Sequence, residues 1–118
     1  MTTMAQTNHS MIKKVDWSTT KRRALSATEV VSALAKLDGW TLRGEGATLA
    51  ITKTFSFANY YQTMAFVNAV AFVAHVSDHH PDLSVSFNRC VVEFNTHDVG
   101  GVSSTDVDCA IAVDGLLA

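Results

Sequence analysis

The chain is poor in residues that stop or staple a fold. It has one proline, Pro81, two cysteines, Cys90 and Cys109, and six glycines in 118 residues. A single proline leaves room for long elements and makes its own position informative. The two cysteines lie in separate apolar segments, so they are expected as free buried thiols in a reducing compartment, the cytoplasm, rather than as a disulfide. Charge of one sign is also lacking. Nine Lys and Arg stand against eleven Asp and Glu, for a net charge of -2 and a pI near 6.2. This argues against direct nucleic-acid binding, which calls for a basic surface. No hydrophobic run is long enough to span a bilayer: the longest, Met64 to Val76, is broken by Asn68 and His75. The first residues lack an apolar leader segment, so no secretory signal is expected. What is present is a 47% hydrophobic chain of single-domain size, enough for a core that needs neither disulfide nor metal.

Residues 1–25 are polar and carry Lys13, Lys14, Lys21, Arg22 and Arg23, which reads as a flexible, solvated arm. The domain proper is expected over 26–118. Ser26-Ala27-Thr28-Glu29 has the spacing of a capping box, and Val30, Leu34 and Leu37 follow at helical period. Helix 1 is expected over 27–37, stopped by Asp38-Gly39. Trp40 to Phe55 alternates around Gly44-Glu45-Gly46 and predicts a hairpin, with Lys53 snorkelling from the apolar face. Ser56 is expected to cap a second helix ending near Ser77. Its stripe would be Tyr60, Met64, Val67 and Ala71, and so apolar a helix must be covered on most sides.

Leu83 to Phe87 and Cys90 to Phe94 alternate on either side of Asn88-Arg89, a plausible two-residue turn. That closure sets Phe87 against Cys90, Val85 against Val92 and Leu83 against Phe94, all on one face. Extended outward, it sets His80 against His97. Ser103 to Asp106 then starts a third helix over 104–116, with Val107, Ala110, Ile111 and Asp114 in line. The order is helix, hairpin, helix, hairpin, helix. The predicted class is α+β, a four-stranded antiparallel sheet with three helices packed on one face.

Four of the five histidines fall in His75-Val76-Ser77-Asp78-His79-His80-Pro81 or at His97. Pro81 disfavours helical geometry at His80, so His79 and His80 belong to the extended exit of helix 2. Imidazole is the side chain whose ordinary pKa, about 6.5, suits it to exchange protons near neutrality. Three readings remain open. The histidines are structural; or His75, His79 and a strand histidine hold a metal such as catalytic zinc, in a hydrolase or lyase; or they perform metal-free acid–base chemistry. A positioned acid or base contributes on the order of 100- to 10,000-fold. That suits a reaction of low intrinsic barrier, such as loss of water from a carbinolamine. No nucleophile elbow or phosphate-binding glycine loop is present.

The series His75-x3-His79-His80-Pro81-x5-Phe87-x9-His97-x8-Asp106 resembles the signature of the pterin-4a-carbinolamine dehydratases. Gly39-Trp40, Phe55-Ser56-Phe57 and Thr96-His97 fit the flanks, and the likeness spans about residues 26 to 115. The resemblance implies an enzyme that dehydrates 4a-hydroxytetrahydropterin to quinonoid dihydropterin, without metal or cofactor, and so recycles the pterin of aromatic amino-acid hydroxylases. It implies His79, His80 and His97 as catalytic residues. His79 and His97 are candidate acids toward the 4a-hydroxyl, and His80 is a candidate base or ring-binding group. By the same likeness Asp78, Asn95, Thr96, Trp40, Asp106 and His75 are candidate pocket residues. His75 stands where the family often has an acidic residue, and Asp106 has capping of helix 3 as an equal alternative. The family also implies a homodimer or homotetramer through helix 2. It includes members that act as interaction modules, dimerisation cofactors of a homeodomain transcription factor, so a non-catalytic scaffold role is the second reading.

Overall fold

The computed structural model describes residues 14–16 and 21–118. The elements run α1 (Ala27–Leu34), β1 (Thr41–Arg43), β2 (Ala50–Ser56), α2 (Tyr60–Ser77), β3 (Asp82–Ser86), β4 (Arg89–Phe94) and α3 (Ser104–Gly115). Short 3-10 turns at Gly46–Thr48 and His97–Val99 lie in the connections after β1 and β4. The strands form one antiparallel sheet in the order β1-β2-β4-β3. Ile51 and Phe55 of β2 and Cys90, Val92 and Phe94 of β4 project from one face. Val30 of α1, Phe66 and Val70 of α2, and Cys109, Ala110 and Val113 of α3 close over them in a single core. The fold is α+β, with the helices on that face.

Local chemistry sets the element ends. Ser26 Oγ accepts from Glu29 N at 3.2 Å, and Glu29 Oε1 accepts from Ser26 N at 2.9 Å, completing the capping box of α1. The helix ends at Leu34, short of the expected 37; Lys36 N to Ala33 O and Leu37 N to Leu34 O carry the chain on as turns to Gly39, whose φ of 83° suits glycine. Lys53 sits on the core side of β2, and its stem carries the charge outward. Nζ donates to Asp38 O at 2.9 Å and Asp114 Oδ1 at 3.0 Å. Both cysteines are free and buried, and burial pushes both thiols up from their ordinary value.

Several local expectations fail. Ser56 does not cap α2, because it is the last residue of β2, paired with Arg89; Asn59 caps instead, accepting from Gln62 N at 2.9 Å. The buried line of α2 is Thr63, Phe66, Val70 and Ala74, while Tyr61 is 82% exposed and Tyr60 and Phe72 are exposed beside it. A helix apolar nearly all round carries no phase that marks its inner face. Thr63 can lie inside because its hydroxyl donates to Asn59 O and Phe87 O at 2.9 and 3.0 Å. In α3 the buried side is Thr105, Asp106, Cys109, Ala110 and Val113, and Ile111 is exposed.

The second hairpin turns one residue earlier than the alternation suggests, which shifts its pairing by two residues. Ser86 pairs with Arg89, Val85 with Cys90 and Leu83 with Val92, so the turn is Phe87-Asn88. A slip of two residues leaves every side chain on its own face, so the apolar pattern cannot detect it. The turn is held from outside, by Thr63 Oγ1 on Phe87 O and by Phe57 N on Asn88 O at 2.8 Å. Continued past Asp82, which pairs with Glu93, this register sets His80 across from Asn95 rather than His97.

Parts of the expected arm are described. Ala24 bridges Ser103, Leu25 N donates to Val102 O at 2.7 Å, and Val15 N donates to Val76 O at 2.9 Å. Residues 1–13 and 17–20 lie outside the described residues.

Candidate functional site

The C-terminal end of α2 is built to turn the chain sharply inward. Asp78 adopts φ 47°, ψ 46°, and is the one non-glycine residue with positive φ among the described residues. Asp78 N donates to His75 O at 3.2 Å and His79 N to Ala74 O at 3.1 Å, the paired bonds of a Schellman closure. Glycine usually fills this left-handed position; aspartate tolerates it at some cost. The reversal sends the His79 ring into the protein, 6% exposed and stacked on Phe94 at 6.0 Å with an interplanar angle of 12°. His80 follows on the surface, directed by Pro81 into the extended entry of β3.

The opposing wall comes from the end of β4. Thr96 N donates to Gly101 O at 2.8 Å, and Gly100 N to His97 O at 3.0 Å, with Gly100 at φ 67°. This tight loop holds His97 and Asp98 at the surface and brings Ser103 beneath Thr96. His79, His80 and His97 together line one cavity of about 270 Å³, with Asp78, Asn95, Thr96, Asp98 and Arg22. That volume lies just below the usual range for small-molecule sites, about 300–1,000 Å³, and suits a compact ring. A larger groove of about 490 Å³ runs between α1 and α3, past Leu25, Ala33 and Val107. Its lining contains no histidine.

Beneath the cavity is a closed hydrogen-bond network. His79 Nε2 lies 2.5 Å from Asp106 Oδ1. Asp106 Oδ2 accepts from Thr96 Oγ1 at 2.7 Å and from Ser103 N at 2.8 Å, and Thr96 Oγ1 lies 2.7 Å from Ser103 Oγ. Asp106 is 0% exposed. Its position in the first turn of α3 adds the helix N-terminal field to these donors. The two oxygens of this carboxylate have separate partners: Oδ2 serves the helix start, as the capping expectation has it, and Oδ1 supports the histidine. Asp106 is not among the residues that line the cavity. On the other side of the ring, Arg22 Nη1 lies 3.2 Å from His79 Nδ1.

Asn95 is oriented by Nδ2, which donates to Leu49 O at 2.5 Å and Ala47 O at 3.4 Å. Its Oδ1 is thereby fixed as an acceptor and is buried without a partner among the described residues. Two other expected pocket residues fall elsewhere. Trp40 is 4% exposed in the core, packed edge-on against Phe55, and its indole N–H donates to the Asp114 carboxylate at 3.0 and 3.2 Å. His75 stands exposed on the last turn of α2, outside the cavity lining, because the Schellman turn separates its direction from that of His79. Arg22 and Asp98 line the cavity unforeseen. Arg22 belongs to a stretch whose composition reads as solvated, and tertiary contacts, the bridge of Ala24 to Ser103 among them, place it. Among the described residues, no group of three His, Cys, Asp or Glu is arranged to hold a metal ion.

Comparison with known proteins places the chain in a family. The family profile described as "Pterin 4 alpha carbinolamine dehydratase" matches residues 23–116. A protein of Paracidovorax citrulli named "Putative pterin-4-alpha-carbinolamine dehydratase" is 62% identical over 112 residues, covering 95% of this chain and 97% of its own. A Bdellovibrio bacteriovorus protein of the same name is 52% identical over 98 residues, covering 80% of this chain and 78% of its own. Among solved structures, a transcriptional coactivator/pterin dehydratase from Brucella melitensis superposes with a TM-score of 0.76 at 30% identity, over 81% of this chain and all of the other. A pterin dehydratase-like RuBisCO assembly factor of the α-carboxysome shares the fold, with a TM-score of 0.58 at 23% identity over 66% of this chain and 88% of its own. The chain belongs to the pterin-4a-carbinolamine dehydratase family.

Proposed function

We propose that this chain dehydrates 4a-hydroxytetrahydropterin to quinonoid dihydropterin by histidine acid–base chemistry, and so returns pterin to aromatic amino-acid hydroxylases. The observation that carries the reading is the meeting of His79, His80 and His97 at one small cavity. In the reaction the C4a–O bond breaks as a ring-nitrogen lone pair moves into the C4a–N bond. The departing oxygen takes a proton and leaves as water, and a ring nitrogen gives up a proton to complete the product. His97, exposed at the rim, is suited to protonate the hydroxyl; His80 is suited to accept the ring proton or hold the ring. Asn95 Oδ1, a fixed acceptor without a partner among the described residues, is suited to a ring N–H. Asp78 and Thr96 complete the pocket. No metal or organic cofactor is required by these steps.

The exposed Tyr60, Tyr61 and Phe72 on α2 support a homodimer or homotetramer through that face. No helix among the described residues is long and apolar enough to cross a membrane, and two free buried thiols suit the cytoplasm.

The test is stopped-flow decay of 4a-hydroxytetrahydropterin with chelator-treated protein. Acceleration that survives chelation is expected, and alanine at 80 or 97 should lower turnover by about 100-fold. Loss of activity on chelation would favour a metal lyase. No acceleration at all would leave the interaction-module reading.

A further inference from the structure

Two charged groups of opposite sign face the two nitrogens of the His79 ring. On one side, Asp106 Oδ1 lies 2.5 Å from Nε2; on the other, the Arg22 guanidinium lies 3.2 Å from Nδ1. A carboxylate alone, set against a buried imidazole, favours a second proton on the ring, as in a triad. A guanidinium does the reverse, and it does so through geometry as well as charge. Arginine has N–H donors and no acceptor, so at Nδ1 the ring must present its lone pair. The proton then sits on Nε2 and is given to Asp106.

We propose that Arg22 is a positioning residue, which holds His79 as the neutral Nε2–H tautomer and thereby leaves delivery of the proton to His97. The proposal rests on the dehydratase reading for its consequence in catalysis, but not for the tautomer itself. Arg22 lies in the N-terminal segment, just before residues 23–116, the span matched by the family profile. The segment is anchored next to it, through the bridge of Ala24 to Ser103 and the bond of Leu25 N to Val102 O at 2.7 Å. Ser103 also donates its backbone N–H to Asp106. The anchor of the arginine and the anchor of the carboxylate are therefore one short stretch, which fixes both partners of the ring together.

The charged and titratable groups around His79 are Arg22 from the arm, Asp106 from α3, Asp78 and His80 beside it in the chain, and His97 and Asp98 from the turn after β4. Asp78 is itself paired with Lys14 at 3.4 Å. Asp106 and Arg22 are the groups in hydrogen-bonding contact with the ring nitrogens. They decide where its proton lies.

Nitrogen-15 NMR of the histidine side chains reads this directly. In the wild-type chain, His79 should show a proton-bearing Nε2 and a proton-free Nδ1. In Arg22→Met the proton-free Nδ1 signature should be lost, and the pH profile of kcat should differ from that of the wild type. Arg22→Lys, which still offers donors only, should restore the wild-type signature and profile. A wild-type His79 protonated at Nδ1 overturns the proposal, and so does an Arg22→Met spectrum identical to wild type or a lysine variant that behaves like methionine. A chain with the expected spectra but no dehydratase activity would retain the tautomer assignment and sink the catalytic reading alone.

Discussion

Asp106 and His79 meet at 2.5 Å across 27 residues of chain, both buried, and the contact joins the start of α3 to the exit of α2. Neither residue could make it without the other's local turn. The left-handed Asp78 aims the imidazole, and the loop at Thr96–Gly101 delivers the helix whose first turn carries the carboxylate.

Replacing Asp106 with alanine separates two accounts of it. Loss of a helix cap alone costs about 1 kcal/mol. Loss of a buried carboxylate that serves His79 Nε2, Thr96 Oγ1 and Ser103 N leaves these groups without their partner, at about 1–3 kcal/mol apiece. Urea unfolding of Asp106→Ala is expected in the higher range, with turnover reduced as His79 loses its orientation.

Trp40→Phe tests the placement of the indole in the core. The substitution keeps the aromatic packing and removes the N–H bonded to Asp114, at a cost of about 1.5–3 kcal/mol for a bond to a charged acceptor. Thermal denaturation should show that loss while dehydration kinetics stay at the wild-type level. Unchanged stability with impaired kinetics would return Trp40 to the pocket.

Acid sensitivity has an identifiable contributor in Glu29. The Arg23 guanidinium, bonded at 2.9 and 2.8 Å, and then the Ser26 amide hold its carboxyl down at about 2, from an ordinary 4.5. A depressed carboxyl contributes stability that is complete above its unfolded value and lost as the pH falls through its folded one. Melting temperatures of wild type and Glu29→Gln should therefore converge as the pH drops from about 4.5 to about 2. Because the pair is exposed, salt should shrink the difference as well.

The sequence was most legible where a signal is local. The Ser26–Glu29 box, the stop at Gly39, the break before Pro81 and the order of helices and hairpins all follow from spacing within a few residues. It was silent where the deciding contact comes from afar. Alternation in Leu83–Phe94 is indifferent to a two-residue slip, and the turn is chosen by Thr63 and Phe57. The inner side of α2 is fixed by what packs on it, since apolar residues nearly surround the helix. Within the site, the histidines could be grouped from their spacing and Asp106 named from the family resemblance, and the structure gathers the three rings at one cavity while setting Asp106 behind His79. Trp40 and His75 could not be sorted from them by pattern. Arg22 had no pattern to show.

The two oxygens of Asp106 bind a secondary-structure boundary to the aim of an imidazole. Lengthening or shortening the chain between β4 and α3 would swing both at once, so drift in that connection is constrained even though half of it faces water. A stability screen at position 106 would record only a weakened fold and overlook that the same variants had lost their chemistry.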